Sequence, residues 1–226
     1  MAGERLLPAP ETVLLALIEE ARSGALALNL GMTLMRVAAA FALAMSAGSA
    51  IGYAMGRSSA FDRIADPWLI LFLNLPALVS IVLAYVWFGL TEAAAIGAVA
   101  INKLPNTVVT LREGARALDP ALDEMAEAFA FDRPTRARHV VIPQLAPYLA
   151  AAARSGLSLV WKIVLLVELV GRPNGVGFAI GTAFQLFDVA RILAYGLSFV
   201  VVMLVIETCV VQPLERGASK WRSRPG

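Results

Sequence analysis

Lys103 stands in the middle of an otherwise apolar segment, beside Asn102 and close to Pro105 and Asn106. An ionisable group at bilayer depth costs ~2.5–3.5 kcal/mol on insertion scales and is retained where it meets a wet cavity or a partner. Lys103 and Asn102 are therefore candidates for a polar path across a membrane. The rival is that the ammonium snorkels, or pairs with a buried carboxylate such as Glu168 or Glu207. Further along, Arg154 and Lys162 stand eight residues apart with Trp161 between them, a spacing expected to put them on nearly one helix face. They either line the same path or anchor their helix through local partners.

The remaining reactive inventory is short. None of the glycines opens a GxxxxGK[ST] phosphate loop, so the chain does not hydrolyse ATP itself. His139 is the single histidine and Cys209 the single cysteine, which leaves no histidine or cysteine cluster for a metal and no intrachain disulfide. The first reads as a solvated loop residue and the second as a small core residue. There is no GxSxG nucleophile arrangement. No enzymatic chemistry, metal or bound cofactor is expected.

These residues must be positioned by a chain of 226 residues that is 59% hydrophobic and 16% charged, with mean hydropathy +0.73. Too little polar surface remains for a soluble globule, so the expected class is an all-α integral membrane protein in the lipid bilayer. The net charge of +2 is small and the basic residues gather at span ends, which fits lipid headgroups and not nucleic acid. Five transmembrane helices are expected at about 33–55, 67–90, 92–111, 145–170 and 192–211, each near the length that crosses a bilayer. Residues 1–32 form an N-terminal surface segment with an amphipathic helix at 11–27. The transmembrane domain then covers 33–214, and 215–226 is a basic tail. GRSSAFDRIAD at 56–66 is a short polar connection, Pro76 kinks the second span, and Trp68, Tyr85 and Trp87 mark its interfacial ends. Residues 171–188 form a glycine-rich connection with a short helix after Gly177. Ala44, Gly48, Gly52 and Gly56 recur every fourth residue, a stripe that lets another helix approach closely, within the subunit or across a dimer.

Between the third and fourth spans lies a charged connection, 117–144. Asp119 followed by Pro120 is a good helix start. Leu122, Met125, Ala126 and Phe129 then form one apolar stripe, with Asp123, Glu124 and Glu127 elsewhere. Asp132 with Pro134 restarts a second short helix carrying Arg133, Arg136 and Arg138, which Pro143 and Pro147 should close.

At this stretch the sequence resembles the membrane-spanning permease subunits of type I ABC importers. In that family a cytoplasmic loop has Glu-Ala-Ala, a glycine six positions after the glutamate and a proline nineteen after it; Glu124, Ala126 and Pro143 match. The nitrate, sulfonate, taurine and bicarbonate subgroup is similar in further pieces: LPAP at 7–10, DPW at 66–68, VWFG at 86–89, Gly114, VEL at 167–169 and GVG at 175–177. Two positions depart, Met125 for alanine and Ala130 for the glycine. Should a left-handed turn be needed at 130, alanine would carry ~1 kcal/mol of strain. The resemblance implies that Glu124, Met125, Ala126, Phe129, Ala130 and Pro143 dock a separate ABC ATPase, which binds the ATP. It also implies a periplasmic solute-binding protein and a second permease copy, with Glu168 structural at the outer end of the fourth span. In the subgroup, LPAP follows a first transmembrane helix; here five spans are expected instead of six.

Lysine and arginine in the connections number eleven on the side of 117–144 and the C-terminus and four on the other. The positive-inside rule then puts that side in the cytoplasm of a bacterial inner membrane. The expected function is an importer permease that couples a translocation path to a separate ATPase. Nitrate, a sulfonate, taurine or bicarbonate is the expected solute. The alternatives are a nucleotide-independent transporter or channel built on Lys103, Arg154, Lys162 and Glu207, and a membrane scaffold that only recruits a partner.

Overall fold

The computed structural model describes residues 8–213; the basic tail and Arg5 lie outside them. The elements are α1 (Pro10–Arg22), α2 (Ala25–Arg57), α3 (Ser59–Asn74), α4 (Ala77–Phe88), α5 (Glu92–Arg116), α6 (Pro120–Ala128), α7 (Arg133–Arg136), α8 (Ile142–Gly171), α9 (Val176–Gln185) and α10 (Val189–Ile206). Wide π-type turns at Ala137–Val141 and Glu207–Val211 extend α7 and α10. Among the described residues, four stretches are long and apolar enough to cross a membrane, and the bent pair α3 and α4 makes up to five.

The bundle is built around α5, buried between α2 and α8. The small-residue stripe on α2 makes this possible. A Cβ at Gly48 would lie 2.7 Å from Thr107 Cβ, one at Gly52 2.6 Å from the Val108 carbonyl, and one at Gly56 2.5 Å from Ala115 Cβ. The stripe's partner is thus α5 of the same chain, and the two backbones approach as only small residues permit. Around this seam Val99, Val160, Val164 and Val167 form the main apolar core, with Trp161 edge-on to Phe199 at 5.5 Å.

Several boundaries differ from expectation. The N-terminal helix stops at Arg22, and Gly24, at φ 79°, turns the chain so that residues from Ala25 already belong to α2. Residues 59–66 are helix and not a polar loop, because Ser58 caps α3 by accepting from the Phe61 N–H. Pro76 does more than kink its span: α3 and α4 meet at 99°, since Pro76 supplies no N–H and biases Leu75 to extended geometry. Tyr85 is not an interfacial ring; it is buried and donates to the Val167 carbonyl at 3.0 Å. Cys209 is exposed, not a core residue.

At the end of the bundle away from the 117–144 connection, a polar stripe on α2 holds the α8–α9 turn. Asn29 accepts from the Gly175 N–H, Thr33 accepts from the Val176 N–H, and Arg36 donates to the Asn174 carbonyl at 2.9 Å. Arg36, 1% exposed, also pairs with Glu168 and Glu92 at 2.7 Å each. Glu168, fully buried, accepts in addition from Thr33 and from the Gly177 N–H, both at 2.9 Å. Arg172 closes the network on Glu92.

Candidate functional site

Two places could do work: the helix that projects at the charged end, and a polar cleft inside the bundle.

The projecting helix, α6, begins where Asp119 accepts from the Ala121 N–H, with Pro120 at its first position. It ends in a Schellman turn: the Ala130 N–H reaches the Glu127 carbonyl and the Phe131 N–H the Ala126 carbonyl at 2.9 Å, with Ala130 at φ 50°. This is the left-handed position glycine usually occupies, so alanine here carries the anticipated strain.

The expected apolar stripe divides. Ala126 is 1% exposed and seats the helix, whereas Leu122, Met125 and Phe129 face outward, Phe129 at 72% exposure. Glu124 is exposed beside them. The seat is fixed by ions: Asp123 accepts from Arg57 at 2.8 Å and from Arg136 at 3.0 Å, and Arg136 also meets Glu127. Arg57 and Asp123 as a tether were not foreseen, being 66 residues apart in sequence. Nearby, Asp62 and Asp66 of α3 pair with Arg112 of α5, and Asp62 also with Arg116.

The second helix of the connection is not closed by its prolines. Asp132 caps it, its carboxyl held below the ordinary range by the Thr135 hydroxyl and N–H. The chain then continues helically to Gly171. The wide turn explains how, because the Ile142 N–H reaches the Ala137 carbonyl one residue further back than in an α-helix. The carbonyl that Pro143 would strike is thereby moved, and Pro143 itself falls in the first turn of α8, where its missing N–H costs nothing. α7 and the long span are therefore one continuous run of helix, and the projecting helix is joined to it by the turn at 129–132 and the Asp123–Arg136 ion pair. His139 is exposed on this helix, Nδ1 3.1 Å from the Thr135 carbonyl.

The polar cleft lies between α5 and α8, about 250 Å³, lined by Lys103, Asn106, Ser155, Gly156, Ser158 and Lys162 among others. Lys103 is wholly buried and donates to the Ala152 carbonyl at 3.0 Å. Its stem passes over Gly156, where any Cβ would overlap it. The carboxylate considered as its partner, Glu168, belongs to Arg36 instead. Of the other expected path residues, Lys162 shares the cleft. Asn102 donates to Ser80 Oγ at 2.6 Å and to the Ala98 carbonyl, bracing α5 on α4. Arg154 lines a different cleft, mostly apolar, with Leu34, Phe41 and Trp161. Eight residues at ~100° each leave about 80° between Arg154 and Lys162, enough to separate them.

A family model described as the inner membrane component of binding-protein-dependent transport systems matches residues 27–212. The chain is 29% identical over 218 residues to the putative aliphatic sulfonates transport permease protein SsuC of Bacillus subtilis (strain 168), covering 96% of this chain and 79% of that protein. It is 24% identical over 220 residues to the taurine transport system permease protein TauC of Escherichia coli (strain K12), covering 95% and 80%. In fold it is similar to a chain of a crystal structure of an amino acid ABC transporter with histidines, at TM-score 0.65 and 21% identity, covering 83% of this chain and 91% of that one.

Proposed function

This chain belongs to the family of inner membrane components of binding-protein-dependent transport systems, and from that premise we propose how it works. It is a permease subunit, and α6 is the part that a separate ABC ATPase grips. The charged end faces the cytoplasm, a binding protein delivers solute at the opposite end, and a second copy of the chain completes the path. ATP binds and is hydrolysed on the partner. The solute is a small anion or organic solute such as a sulfonate, taurine, nitrate or bicarbonate, a reading supported for the first two by the named relatives and for an anionic head group by the pair of lysines in the α5–α8 cleft.

The observation that carries the docking assignment is the split stripe of α6. Leu122, Met125 and Phe129 project from the chain on a helix whose seat is fixed by Ala126 and by the Arg57–Asp123–Arg136 ion pairs. An exposed apolar knob on a held base suits insertion into a partner's groove. Because α7 runs through the wide turn into α8, a displacement of α6 reaches the spans as a rigid-body movement between two arrangements.

The test is co-purification of the tagged chain with its ATPase. Wild type should retain the ATPase, and Phe129→Asp or Glu124→Ala should weaken retention while the chain stays inserted. Equal retention by both variants would remove α6 from the docking surface. No ATPase with wild type would favour a nucleotide-independent transporter.

A further inference from the structure

We propose that the cleft between α5 and α8 is an intramembrane subsite for the transported oxoanion, with Lys103 and Lys162 as its cationic pair and Asn106, Ser155 and Ser158 as neutral donors. This rests on the permease reading and deepens it.

Three observations converge. Ser155, Ser158 and Lys162 recur at three- and four-residue steps on α8, and Lys103 and Asn106 at a three-residue step on α5, so two polar stripes face each other across the cleft. Asn106, Ser155, Ser158 and Lys162 are exposed within segments long and apolar enough to cross a membrane. A lysine and three polar side chains exposed at that depth, the two serine hydroxyls donating to carbonyls of their own helix, do not face hydrocarbon, so this side of the bundle meets water or solute. Among the described residues no carboxylate lines the cleft, whereas the buried arginine of α2 is matched by two.

The cleft therefore has a positive potential that an anion can complete. Gly156 is what lets Lys103 enter it, since its missing Cβ leaves the space the lysine stem fills. Lys103 spends one bond on the Ala152 carbonyl, and an ammonium has three donors, which orients it without exhausting it. A cleft of about 250 Å³ has room for a head group of sulfonate or bicarbonate size. Arg154 and Asn102 belong elsewhere, on the geometry above.

The experiment uses the complete transporter, this chain with its ATPase, in phosphatidylcholine vesicles with its binding protein. Labelled ethanesulfonate, taurine, nitrate and bicarbonate are the probes. Wild type should take up at least one of them. Lys162→Gln and Lys103→Met should each lower that uptake about tenfold or more, as loss of a charge-assisted contact would. Binding-protein-stimulated ATP hydrolysis should stay within about twofold of wild type, and Lys162→Arg should restore most uptake. Unchanged uptake in both variants, or uptake and hydrolysis falling in parallel, would overturn the proposal, as would a wild type that hydrolyses ATP with its binding protein and takes up none of the four probes. Repeating the assay with phosphatidylglycerol in the vesicles separates a soluble anion from a lipid phosphate. If wild type needs that lipid and Lys162→Gln does not, the cleft holds a headgroup and the proposal falls. Wild type that hydrolyses no ATP would overturn the importer reading instead.

Discussion

Replacing Arg36 by methionine removes the one cation at the centre of the far-end network. The side chain is 1% exposed, and its partner Glu168 is fully buried. In the variant Glu168 keeps only the Thr33 hydroxyl and the Gly177 N–H, two neutral donors for a full charge out of water. Breaking a buried pair from one side costs ~3–5 kcal/mol. For a chain of this size each kcal/mol moves Tm by roughly 2–4 °C, so Arg36→Met should melt roughly 6–20 °C below wild type. Glu168→Gln is milder, because Arg36 retains Glu92; ~1–3 kcal/mol is expected. The double variant leaves no uncompensated charge in the core and should be at least ~2 kcal/mol more stable than the sum of the singles. The assay is thermal unfolding of the purified chain in detergent, followed by Trp fluorescence and by loss of the monodisperse peak. Arg36→Met melting within about 2 °C of wild type, or a strictly additive double, would refute the claim that this pair locks α2 to α8.

Three further outcomes are expected. Ala130→Gly removes left-handed strain at φ 50° and should raise Tm by about 2–4 °C, from ~1 kcal/mol; a lower Tm would contradict the strain. Gly52→Ala places a Cβ 2.6 Å from the Val108 carbonyl and should destabilise by ~1–3 kcal/mol, whereas Gly31→Ala, with nothing within 4 Å, should be neutral or better by thermal unfolding. Because the folded state holds the Asp132 carboxyl below its usual range, its cap on α7 should persist above the unfolded value near ~4 and be lost as pH falls through the lower folded value. Hydrogen exchange at the Thr135 amide, corrected for intrinsic rate, reads this, and Asp132→Asn should flatten the profile.

What could be read from residue order was local. Asp119–Pro120 starts α6 as its chemistry requires, and the four-residue stripe from Ala44 to Gly56 announces a close helix contact because its spacing is the helix's own. The identity of the partner helix was not legible, since the residues of α5 that meet the stripe, from Thr107 to Ala115, are far from it in sequence. Arg36 was missed for the same reason: its partners Glu92, Asn174 and Glu168 are 56, 138 and 132 residues away. A signal did exist, because Asn29, Thr33 and Arg36 fall at four- and three-residue steps on one face of an apolar helix. Proline read locally misled twice in opposite senses. Pro76 breaks its span, whereas Pro143 follows a wide turn that accommodates it and Pro147 sits inside the continuous α8. Lys103 and Lys162 stand out in the sequence by the cost of charge in lipid, but only packing shows that they share a cleft and that Arg154 lines another.

The account's central claim is that α6 transmits the state of an ATPase to the spans. It is tested most directly by uptake of labelled ethanesulfonate, taurine, nitrate or bicarbonate into vesicles holding the complete transporter, with ATP on the side of α6 and binding protein on the other. The account predicts accumulation only with both present, and loss of accumulation in Phe129→Asp despite normal insertion. Uptake of the same solute without nucleotide, or full ATP-driven uptake by Phe129→Asp, would contradict it.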